Sequence, residues 1–211
     1  MTRLYLIRHG ETVWNAERRV QGFSDVDLSQ RGQLQAAALA RRLADEPLNA
    51  IYASPLRRAR QTAEAIASGR AIAVIADPDL RELNQGDCEG LTSEELRAQF
   101  ADLLKEWRAA PALVRLPGGE CLSELAERSR AAVERILIRH PSGSVAVVSH
   151  NFTSLCLLCW LTGVALDDFR RHKQDVAAVS IVDVDASLTG SAVLLNDTTH
   201  LAELDLEIDP A

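Results

Sequence analysis

Three short apolar runs, well separated along the chain, each end in a cation or an imidazole. That recurrence limits the folds open to the chain. Leu4-Tyr5-Leu6-Ile7 runs into Arg8-His9-Gly10, and Ile51-Tyr52-Ala53 runs into Ser54-Pro55-Leu56-Arg57. Val145-Ala146-Val147-Val148 runs into Ser149-His150-Asn151. Unbroken apolar runs of this length are the pattern of strands covered on both faces. In an open α/β sheet, ligands bind in the crevice beyond the carboxyl ends of the strands. If the three strands are parallel neighbours, Arg8, His9, Arg57 and His150 converge in that crevice. Such a cluster is destabilised by like-charge repulsion unless an anion fills it. Phosphate is the anion that Arg grips with a two-pronged fork. Gly10 lets the chain turn sharply, or lets a ligand come close to the backbone.

The segments between these runs read as helices. Ser29 opens one that carries Leu34, Ala38 and Leu43. Ser54 is a suitable N-cap with Pro55 at the first helical position. The helix it starts carries Leu56, Ala59, Ala63 and Ile66 and stops at Gly69. Residues 10–28 read as a long polar loop, 71–76 as a strand, 92–109 as an irregular helix and 110–120 as a Pro/Gly loop. Leu122, Leu125, Val133, Ile136 and Leu137 mark a helix closed by His140-Pro141, and 151–162 is another. Runs 177–184 and 191–195 read as strands joined by a turn. Strands alternating with helices predict a single three-layer α/β/α domain with a mostly parallel central sheet over residues 1–203. An acidic tail is expected at 204–211. At 211 residues the chain is long enough for one sizeable core.

The formal charge of −7 argues against a nucleic-acid partner, which needs a basic face. It also makes any cationic pocket a local feature. No apolar run approaches the ~20 residues that span a bilayer. The longest, Phe152 to Leu161, includes Thr, Ser and two Cys and reads as a buried helix. With no apolar leader segment visible at the N-terminus, a cytoplasmic location is expected. Cys156 and Cys159 form a C-x-x-C, the spacing of a redox pair or of half a zinc site. The second half of a zinc site is missing, and the pair lies in an apolar helix, so both are expected to pack as small hydrophobes. Cys88 and Cys121 stand in loops closer to the crevice. No Asp-x-Asp or His-x-Asp pair follows a strand, so no metal ligands are assigned.

Taken together, the motifs resemble the histidine phosphatase superfamily, the phosphoglycerate-mutase-like proteins. The matching pieces are Arg8 to Asn15, Arg19 to Leu28, Arg31-Gly32, Gln35-Ala36, Ser54 to Ala63, Arg81 to Gly86, Pro117 to Glu120 and Val148-Ser149-His150. They lie in the family's order over most of residues 3–160. The resemblance implies a phosphoglycerate-mutase-like fold and phosphoryl transfer without a cofactor, through a phosphohistidine on His9. Arg8 and Arg57 would clamp the equatorial phosphate oxygens, and His150 would close the cluster. Arg57 sits in the first turn of its helix, where the macrodipole disfavours a cation by ~0.3–1 kcal/mol and a bound phosphate reverses that sign. Its neighbours Arg58 and Arg60 read as solvated or carboxylate-paired.

Glu82 is the implied general acid and base. Asn15, Gln21, Gly22 and Ser24 are implied contacts to phosphate or substrate. Asn151 stands where the family has Gly after Ser-His, and it offers the substrate a further donor. Cys88 stands where the family often has Trp.

The expected activity is metal-independent hydrolysis of small phosphorylated metabolites. The alternatives are a phosphoglycerate-type mutase or an inactive phosphate-binding protein on the same fold. The segment 92–116 is short and adds only Arg97, Lys105, Arg108 and Arg115 as cations, which favours hydrolysis over mutase action. The expected partners are a phosphorylated substrate and inorganic phosphate as product, with no nucleic acid and no membrane. A homodimer is left open.

Overall fold

The computed structural model describes residues 1–202 and Leu204. In chain order the elements are β1 (Thr2–Arg8), α1 (Val13–Ala16), α2 (Gln30–Arg42), β2 (Leu48–Ala53), α3 (Arg57–Ala67) and β3 (Val74–Ala76). After them come α4 (Ser93–Gln99), α5 (Ala101–Ala109), α6 (Leu122–Arg139), β4 (Gly143–Ser149), α7 (Asn151–Thr162), β5 (Val179–Val184) and β6 (Gly190–Asp197). Single 3₁₀ turns at Pro78–Leu80 and Gly86–Cys88 shape the segment after β3.

The sheet order is β3-β2-β4-β1-β5-β6. Pairings β1–β4, β2–β4 and β2–β3 are parallel, and β5 is antiparallel to both β1 and β6. The sheet is therefore mostly parallel. Period-2 alternation splits the strand residues between two cores. Tyr5, Ile7, Ile51, Ala53 and Val148 pack against Leu39 of α2, Leu43 at its C-cap, and Ala59, Ala63 and Ile66 of α3. Leu4, Leu6, Tyr52, Val145 and Val147 pack against Val133 and Ile136 of α6 and Leu157, Leu158 and Leu161 of α7. Helices thus cover both faces, which explains why the strands read as unbroken apolar runs.

Several local readings need adjustment. The polar loop 10–28 contains a helical turn, α1, closed by a capping box between Thr12 and Asn15. The helix expected over 92–109 is two helices broken at Phe100, and the strand expected over 71–76 is only Val74–Ala76. Helix α3 starts at Arg57 rather than Pro55, with Leu56 as its N-cap residue. The need for glycine at position 10 comes from a close backbone approach. A Cβ there would stand 2.5 Å from the Gly32 carbonyl oxygen, so the glycine lets the end of β1 meet the start of α2.

All four cysteines are free and buried, Cys156 and Cys159 in the apolar helix α7. Leu204 packs in the α2/α3 core, and the rest of the expected tail lies outside the described residues. Among the described residues no helix is long and apolar enough to cross a membrane.

Candidate active site

The register of the parallel strands brings their carboxyl ends together. Arg8 stands opposite Ser149, and Ala53 opposite Val148. Beyond those pairs the backbones stay joined, His9 N–H to the Ser149 carbonyl and Ser54 N–H to the Val148 carbonyl, both at 3.0 Å. A pocket of about 150 Å³ opens there. Arg8, His9, Asn15, Gln21, Gly22, Arg58, Glu82 and Asn151 are in its wall, with Arg19, Gln85 and Phe152 at its side.

His9 is 3% exposed. Its Nδ1 lies 2.7 Å from the Gly10 carbonyl oxygen. A carbonyl can only accept, so Nδ1 carries the proton and Nε2 keeps its lone pair. Burial pushes the His9 pKa well below the usual 6.5, and the Arg58 and Arg8 cations push the same way. The ring is therefore neutral and nucleophilic at Nε2.

His150 packs edge-on against His9, with ring centroids 5.2 Å apart. It is fully buried, and its hydrogen bonds select the opposite tautomer. Arg58 Nε donates to its Nδ1 at 3.2 Å, so Nε2 carries the proton and donates to Ser54 Oγ at 2.8 Å. Ser54 is thus occupied as the imidazole's acceptor and as acceptor for Leu56 N–H, and it does not cap α3. Burial, then the Arg58 cation, lowers the His150 pKa. His150 supports the pocket from behind and is not in its wall.

Arg57, the expected clamp residue, is not in the pocket wall; its neighbour Arg58 is. Arg57 is on the surface, its side chain 54% exposed, bound to Asp25 and Asp27 at 3.2 and 2.7 Å. Those carboxylates, not a phosphate, offset the unfavourable helix dipole. Arg58 is the fully buried cation of the pocket. It donates to the Ser24 and Gly22 carbonyls at 2.7 Å each and to His150. A guanidinium has five N–H groups, so two remain for a ligand. Burial lowers its pKa to about 10.

A signal in the sequence could have separated the two arginines. Arg58 lies at i and i+4 to Thr62 and at i+8 to Ile66, on the buried stripe of α3. Arg57 shares its face with Gln61 and Glu64, which are not buried.

The remaining wall is a set of unspent donors. Arg8 Nη1 donates to the Gln174 carbonyl at 2.8 Å and to Asn151 Oδ1 at 3.1 Å. Its Nε is buried and has no partner among the described residues. Thr12 donates to the side-chain oxygens of Asn15 and Gln21. Three of the four amides lining the pocket, Asn15, Gln21 and Asn151, therefore have their oxygen engaged, and their NH₂ groups have no partner among the described residues. A buried donor without an acceptor costs roughly 1–3 kcal/mol, and Arg8 Nε is one. Together with the uncommitted N–H groups of Arg58, Asn15, Gln21 and Asn151 around the same space, it describes a seat for an anion. Ser24 is not part of that seat: its N–H and Oγ bind Glu89, at 2.8 and 2.6 Å.

Glu82 supplies the carboxylate. It is 6% exposed. Its oxygens accept from Leu83 N–H at 2.9 Å and from Phe152 and Thr153 N–H at 3.2 and 3.3 Å. The last two are free donors of the first turn of α7, so helix and acid hold each other in position. Arg128, which sequence reasoning missed, fixes the segment from below. It binds both oxygens of Glu120 at 2.9 Å and donates to the Asp79, Arg81 and Glu82 carbonyls. Among the described residues no group of three or more His, Cys, Asp or Glu is arranged to hold a metal ion.

The chain belongs to the histidine phosphatase superfamily, branch 1, whose family profile matches residues 4–198. It is 35% identical over 211 residues, and over the full length of both chains, to phosphoserine phosphatase 1 of Hydrogenobacter thermophilus. It is 36% identical to the probable phosphoglycerate mutase GpmB of Erwinia tasmaniensis, covering 98% of each chain. The structure of Bacillus stearothermophilus YhfR superposes with a TM-score of 0.90 at 35% identity, covering 95% of this chain and 100% of that one.

If the wall is an anion seat, an anion that fits it stabilises only the native state. At a concentration 100 times its Kd, inorganic phosphate contributes about 2.7 kcal/mol. For a chain of this size that raises Tm by about 5–10 °C. Thermal scans in phosphate against chloride at equal ionic strength check this. An unchanged Tm contradicts the seat.

Proposed function

We propose that the protein is a phosphomonoesterase that hydrolyses small phosphorylated metabolites through a phosphohistidine on His9. One observation carries the reading: a neutral imidazole with a free Nε2 lies among unspent donors of Arg8, Arg58, Asn15, Gln21 and Asn151. The Nε2 lone pair attacks phosphorus as the P–O bond to the alcohol breaks. The leaving oxygen takes a proton from Glu82. Water then attacks the phosphohistidine and gives a proton back to the Glu82 carboxylate. The P–N bond breaks, the lone pair returns to Nε2, and inorganic phosphate leaves. The donors are set before the charge spreads over the equatorial oxygens, so they need no reorganisation during the reaction. Four unpaired cysteines fit a cytoplasmic location.

The acid role of Glu82 is tested through leaving groups. An alkyl phosphate leaves as a basic alkoxide and needs the proton, whereas a nitrophenyl phosphate leaves as a stabilised anion. Glu82→Gln is expected to slow phosphorylation by the alkyl ester ~10²–10⁴-fold, and by the nitrophenyl ester far less. Burst kinetics separates this step from dephosphorylation. Equal losses for both esters remove Glu82 from the role.

A mutase is the second reading, favoured by the name of the Erwinia relative. A mutase returns the phosphoryl group to a second hydroxyl of a sugar acid instead of to water. Following phosphate release against isomerised product on the same substrate separates the two.

A further inference from the structure

Beside the anion pocket lies a second hollow, of about 170 Å³, that the phosphoryl chemistry does not use. The two share Phe152 and Gln85 as lining residues. Leu96 of α4, Leu103, Leu104 and Trp107 of α5, and Leu116 complete its apolar wall with Phe152. Trp107 meets Phe152 edge-on, with centroids 6.0 Å apart. Helix α5 puts Leu103, Leu104 and Trp107 on one face, yet no residue of α5 is buried. An amphipathic helix normally spends such a face on a core; this one is half-covered and lines a cavity. The polar exceptions are Gln85 and Cys88. Burial raises the Cys88 pKa, so the thiol stays neutral.

Position gives the hollow its occupant. The leaving oxygen must sit near Glu82, and Glu82 accepts a hydrogen bond from the backbone of Phe152. Phe152 and Gln85 also form the boundary between the two spaces, so an alcohol that extends from that oxygen past them enters the hollow. Among the described residues no Lys or Arg lines the hollow to receive a carboxylate, and no Asp or Glu lines it to receive an ammonium. A dry apolar cavity of about 150 Å³ accommodates a benzene ring. We propose that this hollow is the leaving-group subsite, and that the preferred substrates are phosphate monoesters of uncharged apolar alcohols, of the size of one aromatic ring or a six-carbon chain. This rests on the hydrolase reading above, and it disfavours phosphorylated amino acids and sugar acids.

The test is kcat/KM for the n-alkyl phosphates from ethyl to hexyl, beside phosphoserine and 3-phosphoglycerate, with phosphate release as the readout. Leaving-group basicity hardly changes along the alkyl series, so its slope reports burial. Each added methylene is expected to raise kcat/KM up to about fourfold until the hollow is filled. Hexyl phosphate should exceed both carboxylated esters. Leu104→Lys introduces a cation into the wall and should lower the ratio of hexyl phosphate to phosphoserine by roughly tenfold or more. The ratio does not depend on how much of the variant is folded, and the alkyl series needs no variant. A flat series, or a preference for the carboxylated esters with phosphate still released, overturns the subsite and leaves the hydrolase reading standing. Release of phosphate from none of the esters overturns both.

Discussion

Replacing His9 by Ala is expected to lower kcat on the order of 10⁶-fold, the scale of loss when a covalent nucleophile is deleted from a preorganised site. The Arg8, Arg58 and Glu82 side chains do not depend on His9 for their protein contacts. The variant should therefore fold and still bind phosphate, with the loss confined to turnover. The same argument sets a pH expectation. The His9 pKa is depressed, so in the folded protein the ring takes up its proton well below 6.5, whereas in the unfolded chain it does so near 6.5. Between those two values the unfolded state binds more protons, and stability declines as pH falls. His150 adds to the decline in the same direction. Titration of the ring C–H resonances checks it: both stay in the neutral position at about pH 6, where an exposed His is largely charged.

The second large effect separates two neighbours in the sequence. Arg58→Ala is expected to lower kcat/KM by about 10³-fold or more, the range for a guanidinium that stabilises a transferring phosphoryl group. Arg57→Ala should change it less than about twofold. Surface ion pairs contribute only ~0–1 kcal/mol, and those of Arg57 with Asp25 and Asp27 are half-exposed. Arg58 also anchors the Gly22 and Ser24 carbonyls, so part of its effect is loss of loop position. Partial rescue by free guanidinium isolates the charge from the anchoring. Comparable losses at both positions, or a larger one at Arg57, contradict the site described.

How much of this was legible depends on the physical scale of each signal. The strand ends were readable because burial on both faces writes an unbroken apolar run, and parallel pairing then carries Arg8, His9 and His150 to one edge. Asn15, Gln21, Gly22 and Glu82, which the resemblance singled out, line the pocket, and so does Asn151, where the chain departs from the family pattern. The choice between Arg57 and Arg58 turned on where the helix starts and on the 100° step between neighbouring side chains. A Ser-Pro pair suggested an earlier start than the one observed, because Ser54 is engaged by His150 across the sheet. Ser24 is absent from the pocket wall for a related reason: its partner, Glu89, lies 65 residues away. The break at Phe100 and the hollow it helps to form depend on how α4 and α5 sit over Phe152, which no local pattern encodes. Arg128 was invisible for the same reason, since its partners are carbonyls of a distant turn.

The most direct measurement is capture of the covalent intermediate. Labelled ester, mixed rapidly with enzyme and quenched in base, should leave label on the protein at up to one equivalent per chain. The bond should be stable in alkali and labile in acid, as a phosphoramidate is. Digestion should recover it on the peptide that contains His9, and His9→Ala should abolish it. Turnover with no phosphoenzyme at any time, or label on a residue other than His9, contradicts the mechanism.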